Sequence, residues 1–423
     1  MKREQNHKKK VLIIARDFLP YYPSLGGVIR VVKLALFLQE NGYEVYVLCA
    51  KGIKISYFGY ENMVSKLNVV YVDDKLQRYL NKMVVAGTNN KDSSPTKMQG
   101  LKKIINDFCI PDKGILFVNR YVKMASKLIL EHSITSVIVS SPPHSTQIIG
   151  LKLKHKFGNK INLIVDYRDS WNTRGIFQKR FWLSKRLNLL QEKEVLRAAD
   201  MLTYVSRPML DKINSMIMDV SDKSLLVMNG FDLNMKKNDF RSISPNQELT
   251  IGYFGSISDN ENSSVNPTSF FRALLKVNNC IKLVFYGPVE LKREWQESLG
   301  DRLEINEPVS HTEAVELMRT MDLLLVVYSE TIGGGEVITG KIFDYFLALR
   351  PVLVVGPKDL EAARLVKENH LGYCMDVMDN DQMESMIQDI FKDWQHGQLT
   401  SYSMEDVAQF SRQEQFAKLC KIL

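Results

Sequence analysis

Between Gly333 and Pro351 the chain reads GGGEVITGKIFDYFLALRP, with Glu336 and Asp344 separated by seven residues and Lys341 between them. A glycine run that enters a helix presents free backbone N–H groups and the positive end of the helix dipole, which together receive an anion. The stretch follows the apolar run Leu323–Val327 and opens a helix whose apolar residues include Ile342, Phe346 and Leu349. Gly335, Gly340 and Lys341 fall in the register of a nucleotide-hydrolysing phosphate loop, but Ile342 stands where that loop needs a Ser or Thr hydroxyl for Mg²⁺. The backbone of Ile338, Thr339, Gly340 and Lys341, with the Lys341 ammonium, is instead suited to cradle a diphosphate without a metal.

Other residues with chemistry lie upstream. Gly26 and Gly27 permit close backbone approach to a phosphate. His144, in SSPPHS, either positions a hydroxyl or sugar or caps the helix that follows. Asp169, in DYRDSW, is a carboxylate able to orient an acceptor, while Arg168 and Trp171 pack the strand end. The seven histidines and five cysteines have no metal-ligand spacing, so no metal is expected. Odd in number and far apart, the cysteines point to a reduced cytosolic compartment.

The elements that must hold these residues follow from hydrophobic period. Val11–Ala15 is a short apolar run bounded by charge, hence a buried strand, and Val28–Glu40 is amphipathic, so strand, glycine loop and helix succeed one another. Strands are expected at 44–50, 68–72, 136–140, 161–166, 201–205 and 224–228, with helices near 114–132, 144–157, 179–198 and 207–217. Gly87–Gly100 reads as a loop and Asp232–Gln247 as a linker. Alternation then resumes with strands at 249–254, 281–286, 322–328 and 351–355, and helices at 380–396 and 404–423. Such alternation implies parallel sheets with crossover helices, whose ligands bind beyond the carboxyl ends of the strands. A chain of 423 residues, 45% hydrophobic and 25% charged, exceeds one core and is not disordered. The expected fold is α/β, with Rossmann-like doubly wound domains at residues 1–230 and 231–400 facing an interdomain cleft, and a helical segment at 401–423 crossing back to the first. No window approaches the roughly 20 apolar residues of a membrane-spanning helix. Val11–Ala15, after a basic start, is too short for a signal-peptide core.

Charge is uneven along the chain. Residues 1–200 hold 34 basic and 16 acidic side chains, a balance of +18, against −10 for residues 201–423. The asymmetry points to an anionic partner for the first half, nucleic acid or a membrane surface. No aromatic strand motif or Cys/His finger supports nucleic acid. Arg174–Arg197 interleaves cations with Phe177, Phe181, Trp182 and leucines. It reads either as a membrane-surface helix or as one that packs its apolar stripe inward and leaves its cations in water. Arg30, Lys179, Arg180, Trp182, Lys185 and Arg186 are the acceptor or membrane candidates.

At Glu336 and Asp344 the sequence resembles the retaining GT-B glycosyltransferases of the large family four. Their Glu-x7-Glu motif runs through a small-residue loop into a helix and ends at a strand beginning with Pro. Glu336, Asp344 and Pro351 fall in that register, with Asp for the second Glu, and Gly340–Tyr345 (GKIFDY) matches the helix start of one subgroup. Ile13–Arg30, Ser140–Ser145, Asp166–Trp171, Asn229–Asp232 and Tyr253–Ser256 are similar to further family segments in the same order. The resemblance implies metal-independent transfer of a sugar from a nucleotide-diphosphate donor to a glycan or lipid-linked hydroxyl, with no cofactor besides that co-substrate. It places Asp344 on the ribose and Glu336 against the donor sugar. Gly26, Gly27, Gly255 and Ser256 fall beside the donor, and the Val309 backbone lies against the base. His144, at the acceptor hydroxyl or the donor sugar, and Asp169, at the acceptor, join Glu336 as the catalytic candidates. A cytoplasmic protein at the inner face of the membrane, in bacterial surface-polysaccharide synthesis, is the implied setting. One departure stands out: the Arg and Lys that most members carry after the first donor-domain strand are absent from Gly255–Asn266, so Arg207, Lys341 or Arg30 must compensate. That absence keeps open a non-catalytic binding protein, beside a sugar-nucleotide epimerase or hydrolase of the same fold.

Overall fold

The computed structural model describes residues 8–22, 25–55, 61–75, 77–78, 109–173, 181–233, 246–261, 263–277, 280–329, 335–336 and 338–423. The chain divides into two compact units, Met1–Met228 with Phe416–Leu423, and Asn229–Gln415.

Unit 1 carries β1 (Lys10–Ile14), β2 (Glu44–Lys51), β3 (Asn68–Asp73), β4 (Ser136–Ser141), β5 (Asn162–Tyr167), β6 (Met201–Tyr204) and β7 (Ser224–Leu226). They form one parallel sheet in the order β3-β2-β1-β4-β5-β6-β7. The chain order reverses at β1, the place where an open parallel sheet leaves a crevice beyond its strand ends. Alternate residues of β1 feed opposite cores, as a period of two demands. Leu12 and Ile14 pack with Tyr121, Ile149 and Leu196, while Val11 and Ile13 pack with Val32, Leu38, Phe416 and Leu419. The helix Leu25–Glu40 begins three residues before the expected Val28, so Gly26 and Gly27 belong to its first turn rather than to a loop. First-turn N–H groups have no partner within their own helix, so close approach of an anion does not require the loop.

Unit 2 carries β8 (Leu249–Phe254), β9 (Ile257–Ser258), β10 (Ile281–Tyr286), β11 (Val289–Glu290), β12 (Leu303–Asn306), β13 (Leu323–Val327), β14 (Val352–Gly356) and β15 (Gly372–Asp376). Its main sheet runs β12-β10-β8-β13-β14-β15, again reversing at the first strand, and β9 pairs with β11. The sequence pattern missed β12 and β15. Both are edge strands, and LEIN and GYCMD lack the continuous apolar run of a strand buried on both faces. The expected loop Gly87–Gly100 and most of the Asp232–Gln247 linker lie outside the described residues.

Candidate functional site

In unit 2 the end of β8 brings Gly255 against Lys341, and the helix that Lys341 opens carries Asp344. Lys341 opens the helix Lys341–Ala348, which the Tyr345 hydroxyl ties to the end of β8 by accepting from Phe254 N at 3.1 Å. The Lys341 ammonium lies 4.0 Å from the centre of the Tyr253 ring and donates to the Tyr253 hydroxyl at 2.7 Å. That hydroxyl donates onward to the Ser256 carbonyl at 2.6 Å. Burial pushes the Lys341 pKa down to about 8, and no carboxylate pairs with it among the described residues. Gly255 makes this placement possible. Its φ of +133° suits glycine, and a Cβ there would stand 2.8 Å from the Lys341 Nζ. Lys341 therefore puts its charge at the end of the first strand, where the absent Arg and Lys were missed from the sequence.

The loop before this helix is held from below. Gly335 accepts from Glu361 N at 2.8 Å, and a Cβ on it would meet the Asp359 carbonyl at 2.2 Å. Glu336, the next residue, is only 5% exposed. Of the four N–H groups expected to cradle a diphosphate, two are engaged within the protein. Thr339 N donates to the Tyr328 hydroxyl at 3.3 Å, and Lys341 N approaches Thr339 Oγ1 at 3.4 Å. Ile338 is half-buried and Gly340 is exposed, with open space where a side chain would be. Ser256 is exposed and Val309 half-buried in the stretch between β12 and the helix His311–Met318. Asp344, 21% exposed, has its Oδ1 3.1 Å from His311 Nε2. Sequence reasoning missed His311, because nothing in a spacing of 33 positions announces the pair.

In unit 1 the ends of β4 and β5 collect the second group. Ser140 pairs with Asp166 and Ser141 with Tyr167 across the two strands. Burial opposes ionisation of Asp166, yet Arg30 and the Ser140 and Thr203 hydroxyls hold its carboxyl below the usual range. Arg30 itself was expected among the acceptor or membrane contacts. It is instead 4% exposed, donating to the Val227 and Met228 carbonyls at 2.8 Å each. Such a cation serves the core beneath β5 and is not a surface contact. His144 precedes the helix Ser145–Phe157 without capping it through its side chain. It is 6% exposed, and its ring stacks on Trp171 at 5.3 Å with planes 5° apart. Asp169 is exposed in the turn after β5. Gly27 is exposed, and a Cβ there would stand 3.4 Å from an Arg168 guanidinium nitrogen. Asp17, unnoticed in the sequence, is buried nearby. Desolvation raises its carboxyl to about 6 against the pull of Arg16 and Arg168.

The helix Trp182–Ala198 corrects the reading in which its apolar stripe packs inward. Its buried residues are Ser184, Asn188, Glu192, Val195 and Leu196, whereas Phe181, Trp182, Leu183, Leu187 and Leu190 are exposed. The first turns thus bury polar side chains and expose apolar ones. The reason lies in the Trp171–Thr173 turn, whose polar groups need partners. Trp171 Nε1 donates to Asn188 Oδ1 at 2.8 Å, and Asn172 Nδ2 donates to the Asn188 carbonyl at 3.1 Å and to Glu192 Oε2 at 2.7 Å. Lys185 and Arg186 are exposed beside the apolar residues, and Lys179 and Arg180 lie outside the described residues. Among the described residues no group of three His, Cys, Asp or Glu could hold a metal ion, and no helix is long and apolar enough to cross a membrane.

No protein-family model matches the chain, and no curated protein matches it in sequence. Solved structures match its fold over nearly its whole length. Sucrose-phosphate synthase from Thermosynechococcus elongatus is 13% identical, with a TM-score of 0.65 and 98% of each chain covered. HepE from Anabaena, solved with UDP and glucose, is 12% identical, with a TM-score of 0.62 and 98% of each chain covered. The lipopolysaccharide outer core galactosyltransferase WaaB is 11% identical, with a TM-score of 0.56, covering 98% of this chain and 99% of its own. With its two parallel sheets flanked by helices, the chain has the α/β, two-domain GT-B fold of these glycosyltransferase structures.

Proposed function

We propose that the chain is a retaining glycosyltransferase of the family-four type. It moves a sugar from a nucleoside-diphosphate donor to a hydroxyl of a glycan or lipid-linked acceptor, at the cytoplasmic face of an anionic membrane in bacterial surface-polysaccharide synthesis. The observation that carries this reading is the Lys341 ammonium, half-buried against Tyr253 and Gly255 beside the open Gly340 at the helix start. A partly desolvated cation with no carboxylate partner among the described residues is costly unless an anion completes it. Unit 2 takes the donor. Lys341 and the Ile338 and Gly340 N–H groups hold the diphosphate, Asp344 the ribose, the Val309 backbone the base, and Glu336 the sugar. Ser256 and the first-turn Gly26 and Gly27 complete the donor contacts. His144 and Asp169 serve the acceptor hydroxyl.

In the reaction the bond from the anomeric carbon to the β-phosphate oxygen breaks and a bond to the acceptor oxygen forms on the same face. The acceptor proton passes to the departing diphosphate. Charge grows on that diphosphate in the transition state, where a fixed ammonium and N–H groups act most strongly. HepE was solved with UDP and glucose, which makes UDP-sugars the first donors to try.

A panel of nucleotide sugars, screened by thermal stabilisation, identifies the donor, because a ligand of the folded state alone raises its stability. Transfer is then followed with and without acceptor in EDTA. We expect acceptor-dependent turnover that survives EDTA and falls roughly 100-fold in kcat for Glu336→Gln, with the fold unchanged. A strict Mg²⁺ or Mn²⁺ requirement, or turnover indifferent to acceptor, overturns the assignment.

A further inference from the structure

We propose that His311 is a positioning residue for the donor's ribose, holding the Asp344 carboxylate in place and, when protonated, strengthening the binding of a nucleoside diphosphate. The inference rests on the donor reading of unit 2. Its basis is local geometry. His311 is the first residue of the helix His311–Met318, whose start is fixed by the Ser310 hydroxyl accepting from Glu313 N at 3.3 Å. That helix packs against Lys341–Ala348, bringing His311 Nε2 to 3.1 Å from Asp344 Oδ1. The ring is 49% exposed, two residues after Val309.

An aspartate here reaches one methylene less far than the glutamate of the resembling motif, so its orientation matters more. With Nε2–H donated to Oδ1, the other carboxylate oxygen is left for a ribose hydroxyl. Both the Nε2–H tautomer and the imidazolium make this bond, but only the imidazolium adds charge. A bound diphosphate brings negative charge to a place where Asp344 is already negative, and a proton on His311 offsets that repulsion.

The charges bearing on the ring come from three elements. The hydrogen bond to Asp344 raises its pKa against the pull of burial, Arg412 lowers it and Asp232 raises it. Arg412 and Asp232 pair with each other at 2.9 Å, so their effects largely cancel. Glu313 lies in the ring's own first turn. Since an added anion raises the pKa of His311 further, the complex holds more protons than the free protein. Affinity therefore rises as pH falls through the histidine range.

The experiment is calorimetric titration of UDP, GDP and ADP into the wild type, His311→Gln and His311→Ala, from about pH 6 to about pH 8.5, where a histidine titrates. The best-binding nucleotide is repeated as its 2′,3′-dideoxy analogue. His311→Ala should weaken binding about threefold to tenfold near the low end, the worth of one hydrogen bond. His311→Gln, which keeps a donor without the charge, should recover most of the affinity and lose the gain at low pH. Lys341 titrates in all three proteins and drops out of the comparison. Near the high end, where the imidazolium contributes least, the dideoxy analogue should shrink the penalty of His311→Ala to within about twofold, since the ribose hydroxyls that donate to Asp344 are gone. A low-pH gain as large in His311→Gln as in the wild type, or an equal penalty with the dideoxy analogue, overturns the proposal. If none of the three nucleotides binds the wild type, the donor reading itself fails and the proposal with it.

Discussion

Lys341 is the residue on which the site turns, and its environment fixes a pH dependence. Burial against Tyr253 takes its pKa from 10.5 down to about 8. The stability this group contributes is present above its unfolded pKa and is lost as pH falls through about 8, because the folded protein must then bury a charge. A bound diphosphate reverses the penalty by pairing the ammonium. Nucleotide binding should thus take up a proton near pH 8, and affinity should fall as pH rises beyond it. Lys341→Met should weaken nucleotide binding by roughly tenfold or more, the worth of a charge-assisted hydrogen bond, and flatten that alkaline limb. Calorimetry in buffers of different ionisation enthalpy reads the proton uptake directly; the same alkaline limb in Lys341→Met would remove the ammonium from the site. Lys341, Glu336 and Asp344 were legible in the sequence because they share one short stretch. Gly255 was legible only through the resemblance, and the Tyr253 and His311 side chains take their places beside them through strand order and helix packing, which no local pattern encodes.

At the scale of the element, the helix Trp182–Ala198 was found from its period, and of its two readings the inward-packed apolar stripe is the one its faces overturn. Hydrophobic spacing marks a helix but does not say which side is buried. Here Asn188 and Glu192 are drawn inward by the unpaired groups of the Trp171–Thr173 turn, a demand set by another part of the chain. Glu192 carries the cost: burial raises its pKa to about 7 from 4.5, opposed by the hydrogen bonds from Asn172. A raised carboxyl contributes relative stability that is full below its unfolded pKa and is lost as pH rises through about 7. Glu192→Gln keeps an oxygen for Asn172 and removes the buried charge. It should stabilise the protein by roughly 1–3 kcal/mol near pH 8 and give no gain near pH 5. Thermal melts across that range check it, and a pH-independent difference would show that the carboxylate is not ionised at the cost inferred. The edge strands β12 and β15 were missed for a related reason, since half-covered strands lack the apolar run that made β1, β13 and β14 plain.

At the scale of the whole chain, charge and fold divide at about the same place. Residues 1–200, nearly all of unit 1, carry +18, while residues 201–423 carry −10. A donor bearing phosphates does not explain a cationic surface on the unit that lacks Lys341. The exposed face of Trp182–Ala198 combines Trp182, 62% exposed, with Leu183, Leu187 and Leu190 and with Lys185 and Arg186. Apolar side chains beside cations match the boundary of an anionic leaflet, where the rings and leucines enter and the cations meet headgroups. Each Lys or Arg near such a surface contributes about 1 kcal/mol, so three or four suffice for reversible association that salt weakens. Vesicles rich in anionic lipid should therefore sediment the protein at low ionic strength and release it as salt is raised. Neutralising Lys179, Arg180, Lys185 and Arg186 together should weaken that binding by more than tenfold, from about 1 kcal/mol for each cation lost, with nucleotide affinity unchanged because none of the four is among the proposed donor contacts. Equal sedimentation of the two proteins would mean that the outward leucines and cations of this helix answer to something other than a lipid surface.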